Sequence, residues 1–282
     1  MKSVSLIILS CIFLAISCTK KDEPIVPVVN NNVPTIGDEI VTNFVSTITA
    51  QSWTYATTKE IVTPLPTANI NGTDILTVGN DYISNGFTYK TMTTSANTTG
   101  FYCSMLKDNY IRVDGSSVKM SGKFKFNLGV NLLEFPVTDF VIFKENATTG
   151  TNLGTPATGS IDLTIPNIST PVKVNYTIKA LAGGDSTPIF YNSITYNDIK
   201  KIILYITIDA GLNLPTLGLT QILQPTTQDV IVSTQYYSKN IGLVKADTKI
   251  EYKLNSSITS LIPSIPANGS QNITDNLASK NF

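Results

Sequence analysis

The chain alternates apolar and polar residues with a period of two, and this pattern restricts its fold more than any other feature. In the clearest case, from Lys119 to Leu132, the apolar or glycine positions are Met120, Gly122, Phe124, Phe126, Leu128, Val130 and Leu132. Because successive side chains of a strand point to opposite faces of a sheet, this segment predicts one long strand with a single buried face. The same alternation covers residues 172–179 and 249–254, where lysines occupy the polar face.

Other segments complete a prediction of about ten or more strands. Asn109–Val113 precedes the long strand and is joined to it by Asp114-Gly115, a pair that favours tight hairpin turns. Further strands are predicted at residues 53–62, 87–91, 101–106, 161–165, 199–208 and 229–233. The expected fold class is therefore mainly β, with antiparallel sheets in a curved half-barrel or a sandwich and with little helix.

Helical signal is sparse. Ile40, Val41, Phe44, Val45 and Ile48 have helical spacing and follow two acidic residues. The segment is also rich in threonine and valine, which favour strands, so helix and strand both remain open here.

The domain organisation follows from shifts in composition. Residues 1–17 are expected to be a signal peptide, residues 18–37 a tether, and residues 38–282 a β-rich globular domain. A stretch rich in glycine and threonine at residues 147–160 is where a sub-boundary would fall. A hairpin insertion within one sheet system would give the same pattern.

Composition excludes several classes of function. The chain has no histidine, which rules out Ser-His-Asp and Cys-His nucleophilic systems and His-based zinc sites. Lysine plus arginine equals aspartate plus glutamate at 20 each, so nucleic-acid binding has no electrostatic basis. No calcium-loop pattern is present, and we predict neither a metal nor a cofactor. Cys103 is expected to be a buried small hydrophobe on the strand at residues 101–106.

The first 18 residues have the layout of a secretory leader. Met-Lys-Ser is followed by an apolar run over residues 4–16 and then by Ser17-Cys18. The run is shorter than the roughly 20 residues that a bilayer-spanning helix needs. Leu14-Ala-Ile-Ser-Cys18 resembles the lipobox of bacterial lipoproteins. The resemblance implies cleavage before Cys18 and acylation of its thiol, whereas an ordinary secretion signal is the alternative.

A charged segment follows the cysteine. Lys20, Lys21, Asp22 and Glu23 resemble the surface-export signal of Bacteroidota lipoproteins, which implies an outer-membrane protein exposed at the cell surface. A charge run is also common in any solvated tether. Prolines at both ends of residues 24–34 predict an extended spacer.

A second resemblance covers roughly the last hundred residues. Tyr236-Tyr-Ser-Lys-Asn-Ile-Gly-Leu-Val-Lys245 resembles a stretch near the end of many uncharacterised Bacteroidota lipoproteins. Ile194–Ile202 and Asn276–Asn281 resemble two of their strands, although Asn240 stands where glycine is usual and Lys280 where tyrosine is usual. The resemblance implies a curved antiparallel β-fold on the cell envelope and carries no catalytic residue.

Asp139 is the most notable acid for catalysis without histidine. Phe135, Val137, Val141 and Phe143 share its parity, so strict alternation would place Asp139 in an apolar environment that raises its pKa. A bulge after Pro136, or a lysine partner, would remove that effect. A glycan hydrolase would need a second carboxylate about 5–10 Å away, and no pair stands out in the sequence.

Two segments are candidate binding surfaces. Tyr236 and Tyr237 could present aromatic rings to a partner, although tyrosines also commonly edge β-sheets. Leu217 and Leu219 lie in an apolar connection over residues 212–223, which either plugs the sheet or contacts a partner.

Three functional hypotheses follow. The first is a non-catalytic, membrane-anchored lipoprotein that binds a protein or glycan partner at the cell surface. The second is a carrier that holds a hydrophobic ligand, such as lipid, inside a half-barrel. The third is the carboxylate-dependent glycan hydrolase.

Overall fold

The computed structural model describes residues 42, 44–64, 67–127, 132–165, 170–214, 218–260 and 265–282. The chain from Ile40 to Phe282 forms one compact unit. Residues 147–160 lie inside this unit, where the Gly150 N–H donates to the Ala182 carbonyl and the Leu153 N–H donates to the Ala180 carbonyl. This stretch therefore borders the sheet.

The described residues are mainly strand, with two short helices. The strands are β1 (Ser52–Thr63), β2 (Ala68–Ser84), β3 (Phe87–Thr94), β4 (Tyr110–Asp114), β5 (Ser117–Asn127), β6 (Leu132–Lys144), β7 (Ala157–Leu163), β8 (Val172–Ser186), β9 (Ile189–Tyr191), β10 (Ile194–Tyr196), β11 (Ile199–Leu214), β12 (Gly218–Gln221), β13 (Thr227–Ser238), β14 (Gly242–Lys253) and β15 (Asn268–Lys280). The helices are α1 (Phe101–Leu106) and α2 (Ser256–Thr259).

One antiparallel sheet contains 13 of these strands. Its order is β6-β5-β4-β3-β2-β1-β15-β14-β13-β11-β8-β7, with β12 paired to β11, while β9 and β10 form a separate hairpin. The sheet curls into a half-barrel that is nearly closed, which confirms the predicted fold class. The edge strand β6 approaches the opposite side of the sheet where the Tyr176 hydroxyl of β8, the strand next to the β7 edge, donates to the Pro136 carbonyl at 3.0 Å.

The interior of the half-barrel is filled by side chains. Large residues from all sides are fully buried, among them Tyr55, Leu76, Ile111, Met120, Phe124, Phe135, Phe143 and Tyr237. They belong to one continuous apolar cluster, which provides the main stabilisation of the fold.

Antiparallel strands place successive connections alternately at the two ends of the half-barrel. The connections at one end differ from those at the other. We call one the turn end: it carries the connections at residues 85–86, 115–116 and 239–241 and the β9–β10 hairpin. The other, the loop end, carries the longer connections at residues 95–109, 164–171 and 254–267. The N-terminal residues 44–51 and the C-terminal Phe282 lie at the turn end, where the Ala50 N–H donates to the Val78 carbonyl.

Several sequence predictions are confirmed in detail. The Val172–Lys179 alternation has Val172, Val174, Tyr176 and Ile178 buried within β8. The Asp114-Gly115 hairpin forms, with Asp114 paired to Ser117 and Gly115 at φ 58°.

Two strand predictions are wrong, and the choice left open at residues 40–48 is decided against a helix in its described part. The long strand predicted to run to Leu132 ends at Asn127, and Leu132 begins β6. No helix forms over the described residues 42 and 44–50; Thr42 instead bridges Val45. Residues 101–106 form α1 rather than a strand, and five of the six side chains are buried. A short run that is apolar on nearly every side carries no period that distinguishes helix from strand.

Candidate functional site

Two carboxylates are buried on the concave face, beneath the segment that leads into α1. Asp74 of β2 and Asp275 of β15 are both 0% exposed. They flank β1, where Thr57 is directly opposite Asp275 and Tyr55 is directly opposite Asp74. All of these side chains share the interior face of the sheet.

The carboxylates accept hydrogen bonds from the backbone of the segment that leads into α1, which we call the α1 entry. Asp74 accepts hydrogen bonds from the Thr99 N–H at 3.0 Å and from the Gly100 N–H at 2.7 Å. Asp275 Oδ2 accepts one from the Tyr102 N–H at 3.2 Å. The first N–H groups of a helix have no partner within the helix, so these acids satisfy donors that would otherwise be buried and unpaired.

Burial changes the protonation of Asp275. Loss of water around the carboxyl raises its pKa to about 7, and the nearby Asp74 adds to this effect. Asp275 Oδ1 and Thr57 Oγ1 are buried without a hydrogen-bond partner among the described residues.

Glycine allows the α1 entry to lie directly against the sheet. A Cβ at Gly100 would be 1.7 Å from Asp275 Oδ1, and a Cβ at Gly72 would be 2.3 Å from Thr99 Oγ1. No room therefore remains for a ligand between the backbone and the carboxylates. The Asp74 and Asp275 pair acts structurally, by binding α1 to the sheet.

Cys103 of α1 is 0% exposed, as predicted, although on a helix instead of a strand. Burial raises the pKa of its thiol far above the usual range, and Asp275 and Asp74 add to this shift. A nucleophilic role would require an accessible thiolate, which this environment opposes.

An open groove of about 410 Å³ lies at the loop end, on the solvent side of the α1 entry. Its walls come from β1, β5, β14, β15 and residues 98–108. The lining residues are Lys59, Thr98, Thr99, Gly100, Phe101, Ser104, Lys107, Asp108, Lys125, Ile250, Gln271 and Ile273. It is large enough for a small ligand, since such sites span about 300–1,000 Å³. We call it the basic groove.

Positive charge dominates the basic groove. Its charged side chains are Lys59, Lys107 and Lys125 against the single acid Asp108, which pairs with Lys125 at 3.3 Å. Lys107 Nζ donates to the Ala96 carbonyl. The groove therefore has an excess of cationic donors suited to an anionic group.

Lys59 is the most informative of these lysines. It follows Trp53, Tyr55 and Thr57 on the interior face of β1, and its half-buried position lowers the pKa of its ammonium. No hydrogen bond or ion pair of Lys59 Nζ is found among the described residues. A partly desolvated ammonium without a counter-charge gains stability when an anion binds.

A small apolar chamber lies next to the basic groove, along β14. Ile250 lines the groove, and Tyr252, on the same face of the strand, lines the chamber together with Val174, Ile208 and Leu254. The chamber holds about 50 Å³, well below the roughly 300 Å³ at which ligand pockets begin.

Asp139 is not the buried acid that alternation predicts. Its side chain is 29% exposed and accepts hydrogen bonds from Arg112 Nε at 3.0 Å, Arg112 Nη2 at 2.7 Å and the Tyr89 hydroxyl at 2.7 Å. The Arg112 hydrogen bonds hold the pKa of Asp139 below its usual range. A bulge in β6 causes the difference. Met120 is opposite Phe140 and Gly122 is opposite Val137, so the single residue Ser121 faces both Thr138 and Asp139.

The predicted aromatic surface is also corrected. Tyr237 is 0% exposed, and its hydroxyl donates to Gln235 Oε1 at 2.8 Å within the core. Tyr236 is half-buried, with Lys245 Nζ 5.9 Å from its ring centroid. Leu217 and the side chain of Leu219 lie outside the described residues, but Leu212, Ile222 and Leu223 of the same connection are buried.

The N-terminal predictions lie outside the described residues. They concern Cys18 and the export-signal residues Lys20, Lys21, Asp22 and Glu23, so lipidation and export remain predictions. Within the described part of the chain, no cluster of three or more Cys, Asp or Glu side chains is positioned to hold a metal ion. Neither described helix has the length or apolarity to span a bilayer.

The sequence does not predict the basic groove, because its lysines come from segments that are far apart in the chain. Lys59 alone carried a signal, since it is in phase with the apolar residues of β1. The described structure thus defines a mainly β half-barrel with a basic groove at one end. No protein-family model, no curated protein and no solved structure matches the chain.

Proposed function

We propose that this protein is a surface lipoprotein of the outer membrane that binds an acidic glycan in the basic groove without catalysis. The observation that supports this proposal most directly is the half-buried ammonium of Lys59. Lys59 lines an open groove and has no counter-charge among the described residues. The Gln271 amide adds donors and an acceptor suited to sugar hydroxyls. Thr98 and Ser104 add acceptor oxygens only, because the Ser104 hydroxyl donates to the Gly100 carbonyl and lies 2.7 Å from Thr98 Oγ1.

The membrane anchor rests on the leader, the lipobox and the export-signal resemblance. Several acyl chains on Cys18 would hold the protein stably, since each buried methylene contributes about 0.8 kcal/mol and one chain alone binds marginally. Membership in the Bacteroidota lipoprotein family is part of this proposal, supported by the motif that begins at Tyr236.

Mass spectrometry of the N-terminal peptide tests the anchor. We expect the purified protein to begin at an acylated Cys18. An unmodified peptide, or a leader that is still attached, would contradict the lipoprotein assignment.

The other two hypotheses receive less support. A lipid carrier needs a larger chamber than the 50 Å³ beside the groove. A two-carboxylate hydrolase needs two accessible acids in one cleft, and Asp108 is the only acid lining the basic groove in the described residues.

Binding of dextran sulfate, compared with uncharged dextran, tests the groove. We expect saturable binding of dextran sulfate only. Lys59→Met should weaken it about tenfold, because a hydrogen bond to a charged group contributes about 1.5–3 kcal/mol. Titration calorimetry at moderate salt measures the affinity.

Lys173→Met is the matched control, because Lys173 is exposed on β8 and does not line the groove. It removes the same charge and should change the affinity less than about twofold. Equal losses in the two variants would indicate nonspecific attraction and contradict the proposal. Tighter binding of polyglutamate than of dextran sulfate would overturn the glycan assignment.

A further inference from the structure

Exposed apolar side chains concentrate at the turn end of the half-barrel. In the described part of the chain, Ile83 and Phe190 are each 72% exposed, and Ile194 is 50% exposed. Phe87, Ile48 and Phe282 are 46%, 44% and 41% exposed. We call these six residues the apolar rim. Such a concentration marks an interaction surface, since single exposed apolar residues are otherwise scattered.

The apolar rim is carried by two projecting hairpins and by the chain termini. Ile83 and Phe87 flank the β2–β3 turn at residues 85–86. Phe190 and Ile194 belong to the β9–β10 hairpin, which is separate from the main sheet. Ile48 and Phe282 lie beside the start of β1, where the Asn281 N–H donates to the Ser52 carbonyl.

Two ion pairs lie on the strands that lead to these hairpins. Lys90 Nζ is 2.5 Å from Asp81 Oδ1 on the β2–β3 hairpin, and Lys200 Nζ is 2.6 Å from Asp185 Oδ1 at the base of the β9–β10 hairpin. Pairing lowers the cost of bringing charged groups close to an apolar phase.

The N-terminal chain enters the domain at this same end. The described residues begin at Thr42 next to the apolar rim, and the 24-residue stretch from Cys18 to residue 41 precedes them. A membrane anchor on that stretch would be connected to the domain at its turn end.

We propose that the apolar rim inserts into the interfacial region of the lipid bilayer and orients the domain on the membrane. Aromatic and aliphatic side chains at projecting turns favour this region, where their apolar parts leave water. The basic groove, at the opposite end, then faces away from the membrane. This inference rests on the proposed anchor and adds an orientation to it.

Quenching of an introduced tryptophan by brominated phosphatidylcholine tests the orientation. The full-length protein is purified with its native anchor and reconstituted into vesicles as Phe190→Trp and, separately, as Ile70→Trp. Ile70 is a matched control, because it is 45% exposed but lies near the loop end of β2. The native Trp53 is 4% exposed and contributes the same background to both variants.

We expect at least twofold stronger quenching at position 190 than at position 70, together with a blue-shifted emission at position 190 only. Equal quenching of the two tryptophans would overturn the inference, because the domain would then move freely on its tether. A blue shift at position 190 without quenching would also overturn it, since a protein surface or the tether would then cover the rim. Failure of the protein to co-sediment with vesicles would instead contradict the anchor.

Discussion

At the residue scale, one sequence pattern leads to two different outcomes. Asp74, Asp139 and Asp275 each alternate in phase with apolar neighbours, although the buried acid predicted above is Asp139 alone. The pattern holds for Asp74 and Asp275, which are 0% exposed. It fails for Asp139, because one extra residue in β6 turns the side chain toward Arg112. An isolated alternation does not reveal a bulge, since the bulge depends on the register with the neighbouring strand.

The raised pKa of Asp275 predicts how stability depends on pH. An aspartate in the unfolded chain has a pKa of about 4, whereas Asp275 in the folded protein has a pKa of about 7. The folded state therefore binds more protons between these values, and the free energy of unfolding falls as the pH rises through this window. Asp275→Asn should remove this slope and make the protein more stable than the wild type above pH 7.

Chemical denaturation at pH 5, 6, 7 and 8 measures this effect. The control is Asp162→Asn, which changes an exposed carboxylate on β7 and should leave the slope intact. A slope that persists unchanged in Asp275→Asn would contradict the assignment of the buried proton to Asp275.

At the element scale, the strands could be predicted and the exceptions have physical reasons. The Val172–Lys179 alternation and the Asp114-Gly115 hairpin formed because each depends on local periodicity and turn preference. Helix α1 was missed because burial on nearly all sides removes the period that would identify it. Its position on the sheet depends on Asp74, Asp275 and Gly100, which lie far apart in the sequence.

The edges of the sheet provide a prediction at this scale. No backbone ladder joins the edge strands β6 and β7 among the described strands, and Tyr176 of β8, the strand beside β7, contacts β6 through its side chain. The Tyr176 ring is 4.5 Å from the Phe135 ring, and its hydroxyl donates to the Pro136 carbonyl. Tyr176→Ala should reduce the free energy of unfolding by about 3 kcal/mol, and Tyr176→Phe by about 1 kcal/mol.

Urea denaturation of the two variants measures these losses. Tyr205→Ala is the control, because Tyr205 lies half-buried on β11 with Lys179 Nζ 4.8 Å from its ring centroid. We expect it to cost about 1 kcal/mol or less. If Tyr176→Ala were no more destabilising than Tyr205→Ala, the closure of the half-barrel would not depend on this contact.

At the scale of the whole molecule, the half-barrel has two chemically different ends. The apolar rim, the chain termini and the tight turns lie at the turn end, whereas the basic groove and the apolar chamber lie at the loop end. This polarity suits a protein that is held to a surface at one end and binds a ligand at the other. Neither end could be assigned before the strand order was known, because each combines residues from distant strands.

The sequence by itself determined the mainly β, antiparallel class, most strand positions and the expectation of a leader over residues 1–17. These features depend on local patterns of a few residues, which short-range sterics and burial are sufficient to specify. The tertiary structure alone decided that Asp74 and Asp275 bind the segment leading into α1, that Asp139 pairs with Arg112, and that Lys59, Lys107 and Lys125 share one groove. Each of these outcomes depends on the register and curvature of the sheet, which bring together residues as far apart in the chain as Thr57 and Asp275.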